Sequence, residues 1–248
     1  MELYGLIGYP LGHSFSQGYF TQKFLTEQIE AEYRNFEIPS IDLFPHIIEE
    51  HELLRGLNVT IPYKEKIIPF LDELSEEAQA IGAVNVVRIT RENGKSRIKG
   101  FNSDLIGFME SIRPNLTVHH QKALILGTGG ASKAVCYGLK KLGIEATFVS
   151  RQERPGMLTY EQITPEVLQE FQVIVNCSPC GMHPHVNEAP LLPYLALTSQ
   201  HLLYDLVYNP EQTLFLQRGA QTGASVQNGL QMLHLQAEAG WKIWHTND

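Results

Sequence analysis

The chain opens on an apolar run, Leu3 to Gly8, followed by glycine-rich polar residues and then by a helical spacing over Gln17 to Leu25. The same order of strand, loop and helix recurs. Glu32 to Ile38 precedes a helical stretch over Asp42 to His51, and Gly56 to Thr60 precedes another that starts at Lys64 and breaks near Pro69. Apolar runs alternating with helical stretches at this spacing predict parallel strands joined by crossover helices. Ala83 to Thr90 and Ser96 to Gly100 flank Arg91 to Lys95. The Asn93-Gly94 pair between them is a hairpin signal, because both turn positions need positive φ. An antiparallel edge on a mixed sheet is expected there. Asp104 to Arg113 reads as a helix that Pro114 ends, with a domain connection close to it.

A second region has its own start. Lys122 to Leu126 is a compact apolar strand, Gly127 to Gly130 a loop and Ala131 to Leu142 a helix. Ala146 to Ser150, Val173 to Cys177 and Leu202 to Val207 are further strands, bounded by turn formers and separated by helices. This half reads as a small doubly wound parallel sheet. The last stretch, Asn228 to Trp244, carries Leu230, Leu233, Leu235 and Trp241 at an imperfect helical period and is expected to return to the first region. The chain therefore reads as an α/β protein of two domains: residues 1-103 with 226-248, on a mixed sheet, and residues 104-225, on a doubly wound parallel sheet.

At 248 residues the chain is long enough for this division. Its 27 acidic residues against 19 basic ones give a formal charge of -8, a poor basis for holding nucleic acid or an anionic membrane surface, although a small anion needs only a local positive pocket. The first strand begins without a basic leader, and no apolar run reaches membrane-spanning length. A cytoplasmic location is expected, with neither membrane nor nucleic acid as partner. Three cysteines cannot all pair within one chain, so reduced thiols are the expectation.

Candidate chemistry starts at Gly127-Thr128-Gly129-Gly130-Ala131, placed between strand and helix. Glycines allow a tight turn and close backbone approach to a pyrophosphate, and free amides at a helix start bind its oxygens. The spacing is not the usual GxGxxG, and a short βα turn without a ligand is the plainer reading. No Walker lysine follows, which removes the contacts an ATPase needs. An NAD site often ends its second strand with a carboxylate; here Ser150-Arg151 stands in that stretch. Arg151, helped by Arg154, can pair with a ribose 2'-phosphate, which favours NADP over NAD. A solvated basic pair is the alternative.

In the first region, Ser14 and Ser16 lie in the loop after the first strand, where their hydroxyls can donate to a substrate carboxylate or cap the following helix. Asn58-Val59-Thr60-Ile61-Pro62-Tyr63-Lys64 joins polar groups to the C-terminal end of a strand, the edge where ligands collect in open α/β folds. Asn85 and Asn102-Ser103-Asp104 add further polar groups. Oxidation of an alcohol needs a route for its proton, and the reverse reaction needs a polarised, protonated carbonyl. Lys64 and Asp104 can supply that pair, although Asp104 is equally suited to capping the helix that follows it.

Together these segments resemble the shikimate dehydrogenase family. The resemblance runs through Gly8 to Ser16, Asn58 to Lys64, Gly82 to Asn85, Gly100 to Asp104, Gly127 to Ala131, Asp205 to Pro210, Thr213, Gly223 and Met232 to Ala237. It implies an NADP-dependent oxidoreductase of chorismate and aromatic amino acid biosynthesis, reversibly reducing 3-dehydroshikimate to shikimate. It also implies a substrate-binding and catalytic first domain and a nicotinamide dinucleotide-binding second domain. By the same resemblance, Ser14, Ser16, Thr60, Asn85, Asp104, Tyr208 and Gln236 surround the substrate, with Lys64 beside the reacting oxygen and Lys64 and Asp104 as the catalytic pair. Gly127, Thr128, Gly129, Gly130, Ala131, Ser150, Arg151 and Arg154 face the cofactor, with Gly181 and Met182 near it. A monomer or homodimer is expected. Val86 and Ser103 stand where the family commonly has threonine, and Ser150-Arg151-Gln152 departs from its frequent Asn-Arg-Thr. A quinate/shikimate dehydrogenase using NAD or both cofactors is the neighbouring expectation, and a noncatalytic NADP-binding regulator a more distant one.

Cys177-Ser178-Pro179-Cys180, with His183 and His185, has spacing that suggests a zinc site or a thiol switch. The segment also resembles the family's cofactor-side Asn-Ala-Thr-Ser-x-x-Gly motif. No metal is expected there, with Cys177 partly buried and Cys180 in a loop.

Overall fold

The computed structural model describes residues 1–12, 14–92 and 94–246. Contacts divide the chain into two compact units, Met1–Ser103 with Ala237–Asp248, and Asp104–Gln236.

The first unit is built on β1 (Glu2–Gly8), α1 (Phe15–Thr26), β2 (Ala31–Glu37), α2 (Phe44–Glu50), β3 (Leu54–Val59), β4 (Glu73–Leu74), α3 (Glu76–Ile81), β5 (Val86–Glu92) and β6 (Lys95–Phe101). The six strands form one mixed sheet in the order β2-β1-β3-β5-β6-β4. β1 pairs parallel with β2 and β3, whereas β5 runs antiparallel to β3 and β6. Side chains alternate across a strand, and β1 is apolar on both faces. Leu3 and Ile7 enter a core with Phe44, Ile48, Leu57 and Val87, while Tyr4 and Leu6 enter another with Phe20, Phe24, Tyr33 and Trp244.

Trp244 comes from the last helix and reaches this sheet because Gly56 leaves room: a Cβ there would fall 2.3 Å from the indole Nε1. That nitrogen donates to the Val87 carbonyl at 3.0 Å. The Arg88 guanidinium donates to the carbonyl of Thr246 at 2.5 Å, tying down the end of the same segment.

The second unit contains α4 (Asp104–Ile112), β7 (Lys122–Leu126), α5 (Gly130–Lys141), β8 (Glu145–Ser150), β9 (Leu158–Thr159), α6 (Pro165–Glu170), β10 (Val173–Asn176), β11 (Leu202–Asp205), α7 (Leu214–Gln221), β12 (Ser225–Gln227) and the first part of α8 (Leu230–His245). Its sheet is parallel throughout, in the order β12-β11-β10-β7-β8-β9. Read from β9, this is the 3-2-1-4-5-6 order of a dinucleotide-binding fold, with the reversal between β7 and β10. Ala123, Ile125, Val173 and Val175 fill one face, and Leu124, Leu126 and Ile174 the other.

Several local expectations are corrected. No α-helix starts at Lys64; a short 3-10 turn, Ile68–Phe70, is all that forms. The Lys64 carbonyl accepts from Val84 N at 2.7 Å, and Ile68 N turns to Glu65 O, so the ladder a helix needs is diverted. The β5–β6 hairpin is not a sheet edge, because β4 pairs outside β6; Asn93, in its turn, lies outside the described residues. The link from β10 to β11 carries a 3-10 turn at Tyr194–Ala196 and no α-helix, in a stretch that holds Pro179, Pro184, Pro190 and Pro193. The return to the first unit comes at Ala237 and not at 226. β12 pairs with β11, and α8 packs so closely on α4 that a Cβ on Gly107 would lie 2.7 Å from Met232 O.

Candidate active site

In the first unit the polar residues gather where β1, β3 and β6 end. Thr60 N donates to Ile7 O at 2.9 Å and Tyr9 N to Ile61 O at 3.1 Å, which fastens the loop after β1 to the turn after β3. Val59 N donates to Asn85 O at 2.8 Å and Val84 N to Lys64 O at 2.7 Å. Thr60, Lys64 and Asn85 are thereby held on one stitched set of loops, Thr60 and Lys64 half-buried and Asn85 buried. The Val84–Lys64 backbone bond sets where the Lys64 stem leaves the chain.

Asn85 is locked at its amide. Ser103 N donates to Asn85 Oδ1 at 2.7 Å, and Asn85 Nδ2 donates to Ser103 Oγ at 3.0 Å. Ser103 is fully buried, so serine in place of the family's threonine keeps the hydroxyl this lock uses. Ser14 is the N-cap of α1, accepting from Gln17 N at 3.3 Å, a role that uses an oxygen lone pair and is compatible with O–H donation. Ser16 sits in the first turn of α1, half-buried. Nearby, the Tyr33 hydroxyl donates to Asn58 Oδ1 at 2.7 Å; burial pushes its pKa well above the usual tyrosine value, while a hydrogen bond from Ser16 lowers it. Sequence reasoning named Asn58 as the start of the Asn58–Lys64 segment but not Tyr33 as its partner; a polar residue on an apolar strand was the available signal. His13, in the same loop, lies outside the described residues.

Asp104, Tyr208 and Gln236 belong to the second unit. Asp104 is the first residue of α4, not the residue before it, and its buried carboxylate lies at the positive end of the helix dipole. Gln236 is half-buried on α8, against the α4 backbone at Gly107. Tyr208 is 39% exposed after β11.

The glycine turn sits at the β7–β10 reversal. Gly127 has φ +111°, and a Cβ on it would lie 3.3 Å from Cys177 C and Ser178 N, so the turn has room for hydrogen only. Gly129 is the N-cap of the twelve-residue α5 and offers no side chain to the first amides. Gly130 and Ala131 open that helix, and Thr128 is half-buried in the loop before it. An anion-binding helix start with a glycine approach is what a dinucleotide pyrophosphate requires, and these residues fit one. Ser150 ends β8 buried, and Arg151 and Arg154 follow it exposed. Gly181 is buried with φ +85°, and Met182 is 45% exposed.

Sequence reasoning named Asp205 and Thr213 only as part of a resemblance and missed Asn176. Asp205 is fully buried at the end of β11, where burial pushes its carboxyl up to about 6 against three hydrogen bonds that favour the ionised form. Burial also raises the Cys177 thiol well above its ordinary value, and Cys180 rises for the same reason. Among the described residues, no three His, Cys, Asp or Glu side chains are grouped to hold a metal, and no helix is long and apolar enough to cross a membrane.

A mixed-sheet unit carrying a lysine turn, joined in one chain to a 3-2-1-4-5-6 parallel unit with a glycine turn at its reversal, defines a dinucleotide-dependent dehydrogenase architecture. Residues 6–87 match the family model of the shikimate dehydrogenase substrate binding domain. The shikimate dehydrogenase (NADP(+)) of Carboxydothermus hydrogenoformans is 36% identical over 260 aligned residues, covering 98% of this chain and 91% of that protein. The crystal structure of shikimate 5-dehydrogenase from Thermus thermophilus, in complex with NADP(H) and shikimate, has a TM-score of 0.85 at 30% identity and is matched over 99% of this chain and 94% of that one. Quinate dehydrogenase from Corynebacterium glutamicum, in complex with NAD, has a TM-score of 0.86 at 25% identity over 98% and 93%. The chain belongs to the shikimate dehydrogenase family.

Proposed function

We propose that this protein is an NADP-dependent shikimate dehydrogenase, reversibly reducing 3-dehydroshikimate to shikimate in the cytoplasm, as a monomer or homodimer. The observation that carries the reading is the lysine-bearing turn, held by the Val84–Lys64 and Val59–Asn85 backbone bonds beside a buried, orientation-locked asparagine. Ser14, Ser16, Thr60, Lys64 and Asn85 of the first unit act on the substrate, and the second unit takes the cofactor and adds Asp104, Tyr208 and Gln236 to the substrate's partners. Ser14 and Ser16 donate to the substrate carboxylate, and Thr60, Asn85, Tyr208 and Gln236 bind its ring substituents. The Lys64 ammonium protonates the C3 oxygen during reduction, and its neutral form takes the proton back during oxidation. Asp104 orients the reacting hydroxyl and tunes that exchange. Gly127 to Ala131 hold the pyrophosphate, Ser150, Arg151 and Arg154 the adenosine side with its 2'-phosphate, and Gly181 and Met182 the nicotinamide side. When bound, the cofactor supplies the hydride for C3.

A matched assay of purified protein with shikimate or quinate and NADP or NAD, followed by absorbance of the reduced cofactor, tests this. Shikimate with NADP should give the highest kcat/KM. Equal efficiency with NAD would refute the role of Arg151, faster turnover of quinate would reassign the substrate, and cofactor binding without turnover of any pair would make the protein a regulator.

A further inference from the structure

At the ends of β10 and β11 a buried network connects residues far apart in the chain. Asp205 Oδ1 accepts from Asn176 Nδ2 at 2.9 Å and from Val207 N at 3.0 Å, and Oδ2 accepts from Thr213 Oγ1 at 2.6 Å. Asn176 continues into the loop: its Nδ2 also donates to Cys180 O at 3.3 Å, and its Oδ1 accepts from Ser178 N at 3.1 Å and Ser178 Oγ at 2.7 Å. The loop closes on itself where Cys180 N donates to Ser178 Oγ at 3.3 Å.

The chemistry of this network is directional. An ionised carboxylate only accepts, so an amide against it must present its NH2 group. Asp205 therefore sets the Asn176 amide with Nδ2 inward and Oδ1 toward the loop, the one orientation that can receive both donors of Ser178. An asparagine at 205 would remove the charge that strengthens both side-chain bonds to Asp205 and would turn an NH2 toward the Thr213 hydroxyl, which now donates to Oδ2. Thr213 acts on the other side of the loop: it caps α7, accepting from Leu216 N at 3.4 Å, and its Cβ would lie 3.5 Å from a Cβ placed on Gly181. The loop's first residues also back the glycine turn, where a Cβ placed on Gly127 would lie 3.3 Å from Cys177 C and Ser178 N. A buried carboxylate is a costly way to fill space, since an apolar group of similar volume is often neutral or better for stability. What the carboxylate adds here is the orientation of the Cys177–Met182 segment.

We propose that Asp205, acting through Asn176 and Thr213, is a positioning residue that holds the Cys177–Met182 segment in the shape against which the dinucleotide binds. This rests on the reading that Gly181 and Met182 belong to the NADP site. Asp205 itself touches neither substrate nor cofactor in this scheme. Its loss raises the dissociation constant for NADPH while substrate affinity stays near native.

The test uses Asp205→Asn, which keeps the volume and removes the charge, with Thr213→Val and its conservative counterpart Thr213→Ser. NADPH binding is read by fluorescence titration, both KM values and kcat by steady-state assay, and the amides of Ser178 and Cys180 by hydrogen exchange without cofactor. Asp205→Asn and Thr213→Val should weaken NADPH about tenfold or more, the scale of one hydrogen bond to a charged group. The KM for shikimate should move less than about twofold on the same reasoning. Exchange at both amides should accelerate, and Thr213→Ser should restore the native values. Native NADPH affinity in either variant that melts cooperatively, or a loss of kcat at unchanged KM for NADPH, would overturn the proposal. Unchanged exchange at Ser178 and Cys180 would overturn it too. Failure of the wild-type protein to bind NADPH while exchange responds as expected would instead sink the cofactor reading on which it rests.

Discussion

Gly127→Ala tests the cofactor turn most directly. The native φ of +111° lies where side chains with a Cβ are rarely found, at a cost of about 1–3 kcal/mol. The added methyl would also meet Cys177 C and Ser178 N at 3.3 Å, both backbone atoms that must yield by a few tenths of an ångström. A total near 2–3 kcal/mol follows, and at about 2–4 °C per kcal/mol for a chain of this size Tm should fall by roughly 4–12 °C. The strained turn also displaces amides at the start of α5, so NADPH binding should weaken by about tenfold or more, the loss of one charge-assisted hydrogen bond. Shikimate binding should be little changed. Gly18→Ala is the control: Gly18 lies on α1 with nothing within 4 Å of an added Cβ, and there alanine should stabilise by up to about 1 kcal/mol. Differential scanning fluorimetry and NADPH titration measure both effects. A Gly127→Ala protein with native Tm and native NADPH affinity would refute the argument.

Lys64→Ala should lower kcat by about 10²- to 10⁴-fold with NADPH affinity near native, measured by steady-state kinetics and titration; a rise in substrate dissociation constant at normal kcat would make Lys64 a binding residue only. Trp244→Ala removes an indole that packs 4.8 Å from Tyr4 and 5.3 Å from Phe20 and its hydrogen bond to Val87 O, so chemical denaturation should show a loss of about 3–5 kcal/mol. His120 should make stability depend on pH: its Nδ1 accepts from Thr117 N at 3.0 Å and Nε2 faces Gln200 O at 3.2 Å, so the buried ring is held neutral. Burial first, then His119 and His201, lower its pKa below 6.5. The unfolded chain therefore binds the proton more readily, and this contribution, intact above about pH 6.5, is lost as pH falls below it. Asp205, raised from 3.8 to about 6, works in the opposite sense, losing stability as pH rises across that interval. Comparing His120→Asn with wild type across pH 7 to 5 isolates the histidine; identical pH dependence would refute its role.

Much of this protein is written locally in its sequence. β1, β7 and β10 are legible because helices and loops cover both faces of each sheet, leaving nearly unbroken apolar runs such as Leu3 to Ile7 and Ala123 to Leu126. The glycine turn was legible for a similar reason, since tight turn, helix start and phosphate-facing amides lie within five consecutive residues. Other features depended on partners that a window of sequence cannot contain. The stretch after Lys64 has helical spacing but does not form an α-helix, because Val84, twenty residues on, takes the Lys64 carbonyl. β4 and β12 are two and three residues long, and β6 and β11 beside them supply the pairing that makes them strands. α8 reads as one amphipathic helix, yet its contacts change unit at Ala237, where Met232 and Gln236 give way to Ala237 and Trp244. Residue identity thus determined which segments could be strands, turns and candidate ligands. Tertiary structure decided which carbonyl each amide met and which way Asn85 and Asn176 present their amides, because a hydrogen bond depends on where its partner stands in space.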